Sequence, residues 1–247
     1  MQTRDHECLM AGEEAVGELI GKGLYTPAEA GKLLHVSPLK IIRWLRGHSQ
    51  NGKVYDPLWH PSISLGDEDE RVFLAFRDLM EVRVADAFIQ LGISSFKVRA
   101  AIALATKVLG RDYPLSSDRF RTDGREIFLR IIETDKDGRE PEKLLNLFKK
   151  QFEFKNIIDP ILKSVDFGEW GEPVRWWPEG KPGQIVLDPQ RSFGQPIDAV
   201  SSVPTQVLSA AGTHLGIKQA ALAYDVPETS VKRALAFEDS LNHRVAA

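Results

Sequence analysis

Two helix-start signals lie 11 positions apart near the N-terminus, and that spacing restricts what this stretch can fold into more than any other feature of the chain. Thr26-Pro27 followed by Glu29 reads as an N-cap, a proline at the first helical position and an acid in the first turn. Ala30, Leu33 and Leu34 give that helix an apolar stripe. Ser37-Pro38 repeats the start, and Ile41, Ile42 and Leu45 form the next stripe before Gly47 ends it. Two short helices joined by about three residues have the spacing of a helix-turn-helix. Such a unit needs a small residue in its first helix and, four positions on, a residue that tolerates positive φ. Gly31 and His35 stand at those positions, and Val36 is placed to fill the space between the helices.

Charge sharpens this reading. The 247-residue chain carries a net charge of −3, with a pI near 6.1, so any nucleic-acid site must be a local patch. Ala30–Tyr55 supplies one: it contains Lys32, Lys40, Arg43, Arg46 and Lys53 and no acid. Lys40, Arg43 and Arg46 are three apart and lie along one side of the second helix, roughly opposite Ile41 and Leu45. A core-facing stripe with a basic outer face is what a recognition helix requires. The same pattern also suits plain core helices with a solvated face, so both readings stay open on the pattern alone.

The grammar recurs 190 positions later, with Ala221, Asp225, Val226 and Val231 where Gly31, His35, Val36 and Ile41 stand in the first unit. Asp also tolerates positive φ. This unit carries Lys232 and Arg233 among Asp225, Glu228, Glu238 and Asp239, so it reads as a partner or dimer surface before a DNA surface.

Elsewhere the pattern predicts a weak helix over 11–21 and a short strand at VYDPLW. A long helix is expected over 71–91 from Phe73, Phe76, Met80, Val84, Ala87 and Leu91, and another from Ser94-Ser95 carrying Val98 to Leu109. Asp123-Gly124 predicts a hairpin. Residues 133–142 read as a surface loop or hinge, Leu144 to Val165 as mainly helical, and VRWWP and QIVLDP as short strands; helices are expected to start near Pro204 and Pro227. The expected fold class is mainly α (α+β): an N-terminal winged helix-turn-helix, a helical middle with a β-hairpin, and a small C-terminal helical domain with a second helix-turn-helix. The expected division is 1–132, a connector over 133–179, and 180–247.

Several chemistries lack their residues. Cys8 is the single cysteine, and the histidines at 6, 35, 48, 60, 214 and 243 have no metal-ligand spacing, so no metal or cofactor is expected. The phosphate-loop, dinucleotide and GxSxG motifs are missing, and no alternating βαβ pattern gathers acids as a metal-dependent nuclease needs, so the chain reads as no enzyme. Without a signal-peptide core or a membrane-length apolar run, the expected location is cytoplasmic. Trp170, Trp176 and Trp177 read as anchors of a small core ahead of an aromatic partner site.

The stretch YTPAEAGKLLHVSPLKIIRWLRGH with the following VYDPLW, about residues 24–60, resembles the winged helix-turn-helix of MerR-like regulators. From VRWWP through VLDPQRSFGQPI, VPTQVL and YDVPETSVKRALAFED, the chain resembles the antitoxin-type module encoded beside PIN-like toxins. Together these imply a VapB-like antitoxin that binds and silences a PIN-domain ribonuclease and represses its own operon. The resemblance assigns Ser37, Pro38, Lys40, Arg43 and Arg46 to the recognition helix and Lys53 to the wing. Partner binding is expected at Val203, Pro204, Lys232, Arg233 and Phe237. One departure stands out: where relatives carry a Gly-Thr-Arg-Ile-Pro type stretch, this chain has Ser201-Ser202-Val203-Pro204. The expected assembly is a homodimer on operator DNA, paired through helix 71–91. Two other readings remain. One is a one-component MerR-like regulator with a small-ligand pocket near Trp59, Arg99 or Arg111; the other is an adaptor in which both units bind protein.

Overall fold

The computed structural model describes residues 21–63, 71–120 and 158–243. Of these, the residues within Thr26–Trp176 belong to one compact unit, and residues 21–25 with those from Trp177 onward belong to a second. The expected helix over 11–21, the Asp123-Gly124 hairpin, the 133–142 loop and most of the Leu144 to Val165 helix lie outside the described residues, as does Cys8.

In the first unit, α1 (Pro27–Leu34) opens with a full capping box. Glu29 N–H donates to Thr26 Oγ1 at 3.2 Å, and Thr26 N–H donates to the Glu29 carboxylate at 2.8 Å. His35 closes α1 in the left-handed region at φ 57°, and α2 (Pro38–Arg46) follows. A Cβ on Gly31 would sit 2.6 Å from the Val36 carbonyl oxygen, so the turn requires glycine there on steric grounds. The polar stretch from His48 onward forms a hairpin: β1 (His48–Gln50) pairs antiparallel with β2 (Lys53–Tyr55) around Asn51-Gly52. Both turn residues have positive φ, 52° and 74°, as a two-residue hairpin loop demands.

Helix α3 (Phe76–Gln90) starts five residues later than the expected 71, because the chain from 71 to 75 is not helical and Phe73 precedes the helix. Asp78 sits at its third position and accepts from Ala75 N–H at 3.0 Å, which sets the start. Ten of its fifteen residues are buried, making α3 the centre of this unit. The next helix, α4 (Ser95–Leu109), is capped by Ser94 and stopped by Gly110 at φ 65°. Residues 158–163 are helical, ending two residues short of the expected Val165, and Val165–Phe167 (β3) and Pro173–Trp176 (β4) then pair antiparallel, the latter on the expected strand VRWWP.

In the second unit, β5 (Ile185–Leu187) and β6 (Pro196–Asp198) form an antiparallel pair whose first strand is wholly buried. Three helices follow: α5 (Thr205–Leu215), α6 (Ile217–Ala223) and α7 (Glu228–His243). Their core is Leu208, Ala220, Ala221, Val231 and Ala234. Gly212 lets α5 approach α7, since a Cβ there would lie 2.8 Å from Val231 Cγ1.

Candidate nucleic-acid interface and partner face

Burial on α2 divides its side chains by function. Ile41, Trp44 and Leu45 are buried, while Ser37, Pro38, Leu39, Arg43 and Arg46 are exposed. The centre of the outer face is therefore Leu39, Arg43 and Arg46, spaced four and three apart. Leu39, 66% exposed, stands out neither by charge nor by periodicity. Its signal in the sequence is its position one turn before Arg43. Lys40 sits on the flank, 2.8 Å from an Asp86 carboxylate oxygen on α3 and 4.8 Å from the centre of the Trp44 ring. Lys53 is exposed on the hairpin and lies over Tyr55 at 5.4 Å, and His48 stacks on Tyr55 at 4.8 Å.

The hairpin and the segment after it are fixed to the helices by backbone contacts. A Cβ on Gly47 would meet the Tyr55 carbonyl oxygen at 2.4 Å, and Leu58 N–H donates to the Trp44 carbonyl at 2.7 Å. Arg99 on α4 donates to the carbonyls of Asp56 and Pro57. Trp59 donates to Asp78 at 3.0 Å. Arg99 and Trp59, expected as lining of a ligand pocket, thus hold the segment behind the basic face.

Asp78 also accepts from the Ser62 amide and hydroxyl, at 3.1 and 2.8 Å. Burial raises its pKa despite these bonds. One turn on, Glu81 is buried and accepts from the Ser116 amide and hydroxyl, both at 3.1 Å. Burial outweighs those bonds and pushes its carboxyl up to about 8, so it holds its proton at neutral pH.

The residues expected to meet a protein partner are placed differently. Phe237 is 2% exposed and belongs to the core. Arg233 donates twice to Asp198, at 2.9 and 2.6 Å. Asp198 is fully buried; desolvation pulls its pKa up, but hydrogen bonds from Ser201 and Arg233 prevail and hold it below the usual carboxylate value. This network organises the departing stretch Ser201-Ser202-Val203-Pro204: Ser201 donates to Asp198 through amide and hydroxyl, and Ser202 takes φ 65°. Val203 and Pro204 are half-buried, whereas Lys232 is exposed and 3.8 Å from Glu228.

The turn between α6 and α7 repeats that between α1 and α2. Asp225 has φ 51°, and Val226 N–H donates to the Ala221 carbonyl at 3.0 Å, as Val36 N–H donates to Gly31 at 3.1 Å. Leu222 and Tyr224 before it are exposed, as is Leu215 at the end of α5, and a 400 Å³ crevice is lined by Lys218, Leu222, Asp225 and Glu228 among others.

No family model matches the chain. A curated protein of Mycobacterium tuberculosis (strain ATCC 25618 / H37Rv) described as "Putative antitoxin VapB45" is 26% identical over 203 residues, 76% of this chain and 82% of that protein. The crystal structure of Rv2018 from Mycobacterium tuberculosis aligns with TM-score 0.65 and 23% identity, covering 85% of this chain and 96% of that one. The fold is shared. The curated likeness is to a protein described as a putative antitoxin.

Among the described residues, no group of three His, Cys, Asp or Glu side chains is placed to hold a metal ion, and no helix is long and apolar enough to cross a membrane. The three tryptophans have separate fates: Trp176 is buried and lies under the Arg83 guanidinium at 4.7 Å, Trp177 is half-buried, and Trp170 is 76% exposed.

Proposed function

We propose that this chain is the antitoxin of a toxin-antitoxin pair, binding operator DNA through α2 and the β1–β2 hairpin and a PIN-like ribonuclease through residues 180–247. The observation that carries the DNA half is the outer face of α2, where Arg43 and Arg46 are exposed and acid-free sequence surrounds them. In this reading α1, α2 and the hairpin act as a winged helix-turn-helix. Ser37, Pro38, Leu39 and Arg43 face the major groove, Arg46 lies along it, and Lys53 meets a phosphate from the wing. Leu39 suits an apolar contact with a thymine methyl group.

The antitoxin half rests on the curated likeness, which runs through most of the chain. Because Phe237 and Arg233 serve the interior, the partner face falls on Lys232 and the exposed Leu215, Leu222 and Tyr224, with Val203 and Pro204 beside β6 in sequence. The functional division proposed is 1–132 for DNA and self-pairing, 133–179 as connector and 180–247 for the partner. A two-fold dimer in the cytoplasm lets two α2 helices read two half-sites.

Sequencing the flanking genes and co-expressing the chain with any PIN-like ribonuclease they encode tests this. Copurification of the two, rescue of growth, and loss of both on Leu222→Asp with Tyr224→Asp are expected. A nuclease that neither binds nor is silenced would remove the antitoxin assignment.

One feature favours a second reading, a ligand-responsive regulator. A 350 Å³ open cavity is lined by Arg77, Arg111, Tyr113, Ser117, Trp170 and Glu172 in the first unit, within the size range of small-molecule sites. Quenching of Trp170 by a metabolite, together with release of DNA, would favour it.

A further inference from the structure

Of the three cations on α2, Lys40 alone has an ion-pair partner among the described residues. That partner comes from a different helix, 46 positions along the chain. Ala30–Tyr55 contains no acid, so Asp86 is a carboxylate that α3 brings to the flank of an otherwise purely basic face. The pair is tight at 2.8 Å and partly shielded, with side chains 34% and 16% exposed. The Trp44 ring beside Lys40 restricts it further. Arg43 and Arg46, one and two turns on, are left exposed.

A lysine on a DNA-facing helix adds affinity for any sequence by neutralising a phosphate and releasing its counterion. Specificity is the ratio of operator binding to that background, so withholding a phosphate contact raises the ratio. We infer that Asp86 is a specificity-setting residue that competes with DNA phosphate for Lys40 and keeps this lysine out of sequence-independent binding. Arg43, whose planar fork pairs with guanine edges, then dominates what the helix reads. This inference rests on the DNA reading above and adds a regulator of its selectivity.

The test uses the full-length chain and a fluorescent random-sequence duplex of ~30 base pairs, with affinity followed by anisotropy from ~50 to ~200 mM salt. Asp86→Asn should steepen the logarithmic salt dependence by ~0.9, the value for one additional phosphate contact, and tighten binding several-fold at the lowest salt. Asp86→Glu, which can keep the pair, should stay close to the parent. Adding Lys40→Met to Asp86→Asn should abolish the gain. Glu169→Gln removes the same charge from an exposed turn and should leave the slope unchanged. If Asp86→Asn does not fold by circular dichroism, Asp86→Ser frees the same lysine and is read the same way. Parental binding with an unchanged slope in the Asp86 variants overturns this inference alone. A gain that survives Lys40→Met, or is matched by Glu169→Gln, also overturns it. If neither the parent nor any variant binds DNA at the lowest salt, the DNA reading falls and takes the inference with it.

Discussion

The α1–α2 and α6–α7 pairs share one backbone solution and differ in almost everything placed on it. Both turn through a non-glycine residue at positive φ, His35 at 57° and Asp225 at 51°, and both return a valine amide to a carbonyl five residues back. The first presents exposed Arg43 and Arg46 with no acid in the surrounding segment; the second presents Leu222 and Tyr224 with Asp225 and Glu228. Turn sterics therefore determine the local fold, while the exposed residues determine what it can attract. The first face concentrates positive charge, as a polyanion requires, whereas the second balances Lys218 and Lys232 against Asp225 and Glu228.

The two units should respond to pH in opposite directions, and this is the largest effect expected. Glu81 holds its proton in the folded state up to about 8, well above its ordinary 4.5. The stability it contributes is therefore present below ~4.5 and lost as pH rises through about 8. Glu81→Gln should stabilise the first unit above that pH by ~3–5 kcal/mol. Asp198 has a lowered pKa, so its contribution is present above the unfolded value of 3.8 and lost as pH falls through the lowered one. Asp198→Asn should cost the second unit ~2–4 kcal/mol at neutral pH and little in strong acid. Hydrogen exchange across pH, read for each unit separately, checks both; parallel responses would break the comparison.

The small residue at the turn gives the next effect. Gly31→Ala places a Cβ against the Val36 carbonyl and should destabilise the first pair by ~1–3 kcal/mol. The corresponding Ala221 already carries a Cβ, so Ala221→Gly should cost only ~1 kcal/mol through helix propensity and weaker packing. Urea denaturation distinguishes the two, and equal costs would mean that the turns are less alike than their dihedrals indicate. A smaller effect is expected at the proposed DNA surface from Leu39→Ala, ~0.5–1 kcal/mol of operator affinity if it covers a thymine methyl.

Much of this was legible in the sequence because it is local. Thr26-Pro27, Gly31 and His35 act within a few residues of one another, and each stands in the conformation its chemistry predicts; Ser37 precedes α2 with Pro38 at its first position but makes no side-chain capping bond. The α2 basic face was legible as charge but not as pairing, since Asp86 reaches Lys40 only through the packing of α3. Arg233 read as a surface cation for the same reason: its partner Asp198 lies 35 positions away and is buried. Strand β1 was hidden because His48-Ser49-Gln50 has no apolar alternation, although Asn51-Gly52 was itself a hairpin signal. Phe73 fitted the helical period by coincidence of spacing; the Asp78 bond to Ala75 starts the helix after it. Phe237 read as a partner anchor, but it lies on the core-facing side of α7, in line with Val231, Ala234 and Leu241.

The central claim is that one scaffold serves DNA in the first pair and protein in the second. The most direct test is operator affinity by anisotropy, using the DNA upstream of the gene and two variants of the full-length chain. Arg43→Ala with Arg46→Ala should weaken binding by ~1–3 kcal/mol for each base that these arginines read, and should reduce the salt slope by up to ~0.9 for each phosphate they neutralise. Lys232→Ala should change affinity by less than ~0.5 kcal/mol. Equal losses from the two variants, or loss only with Lys232→Ala, would contradict the account.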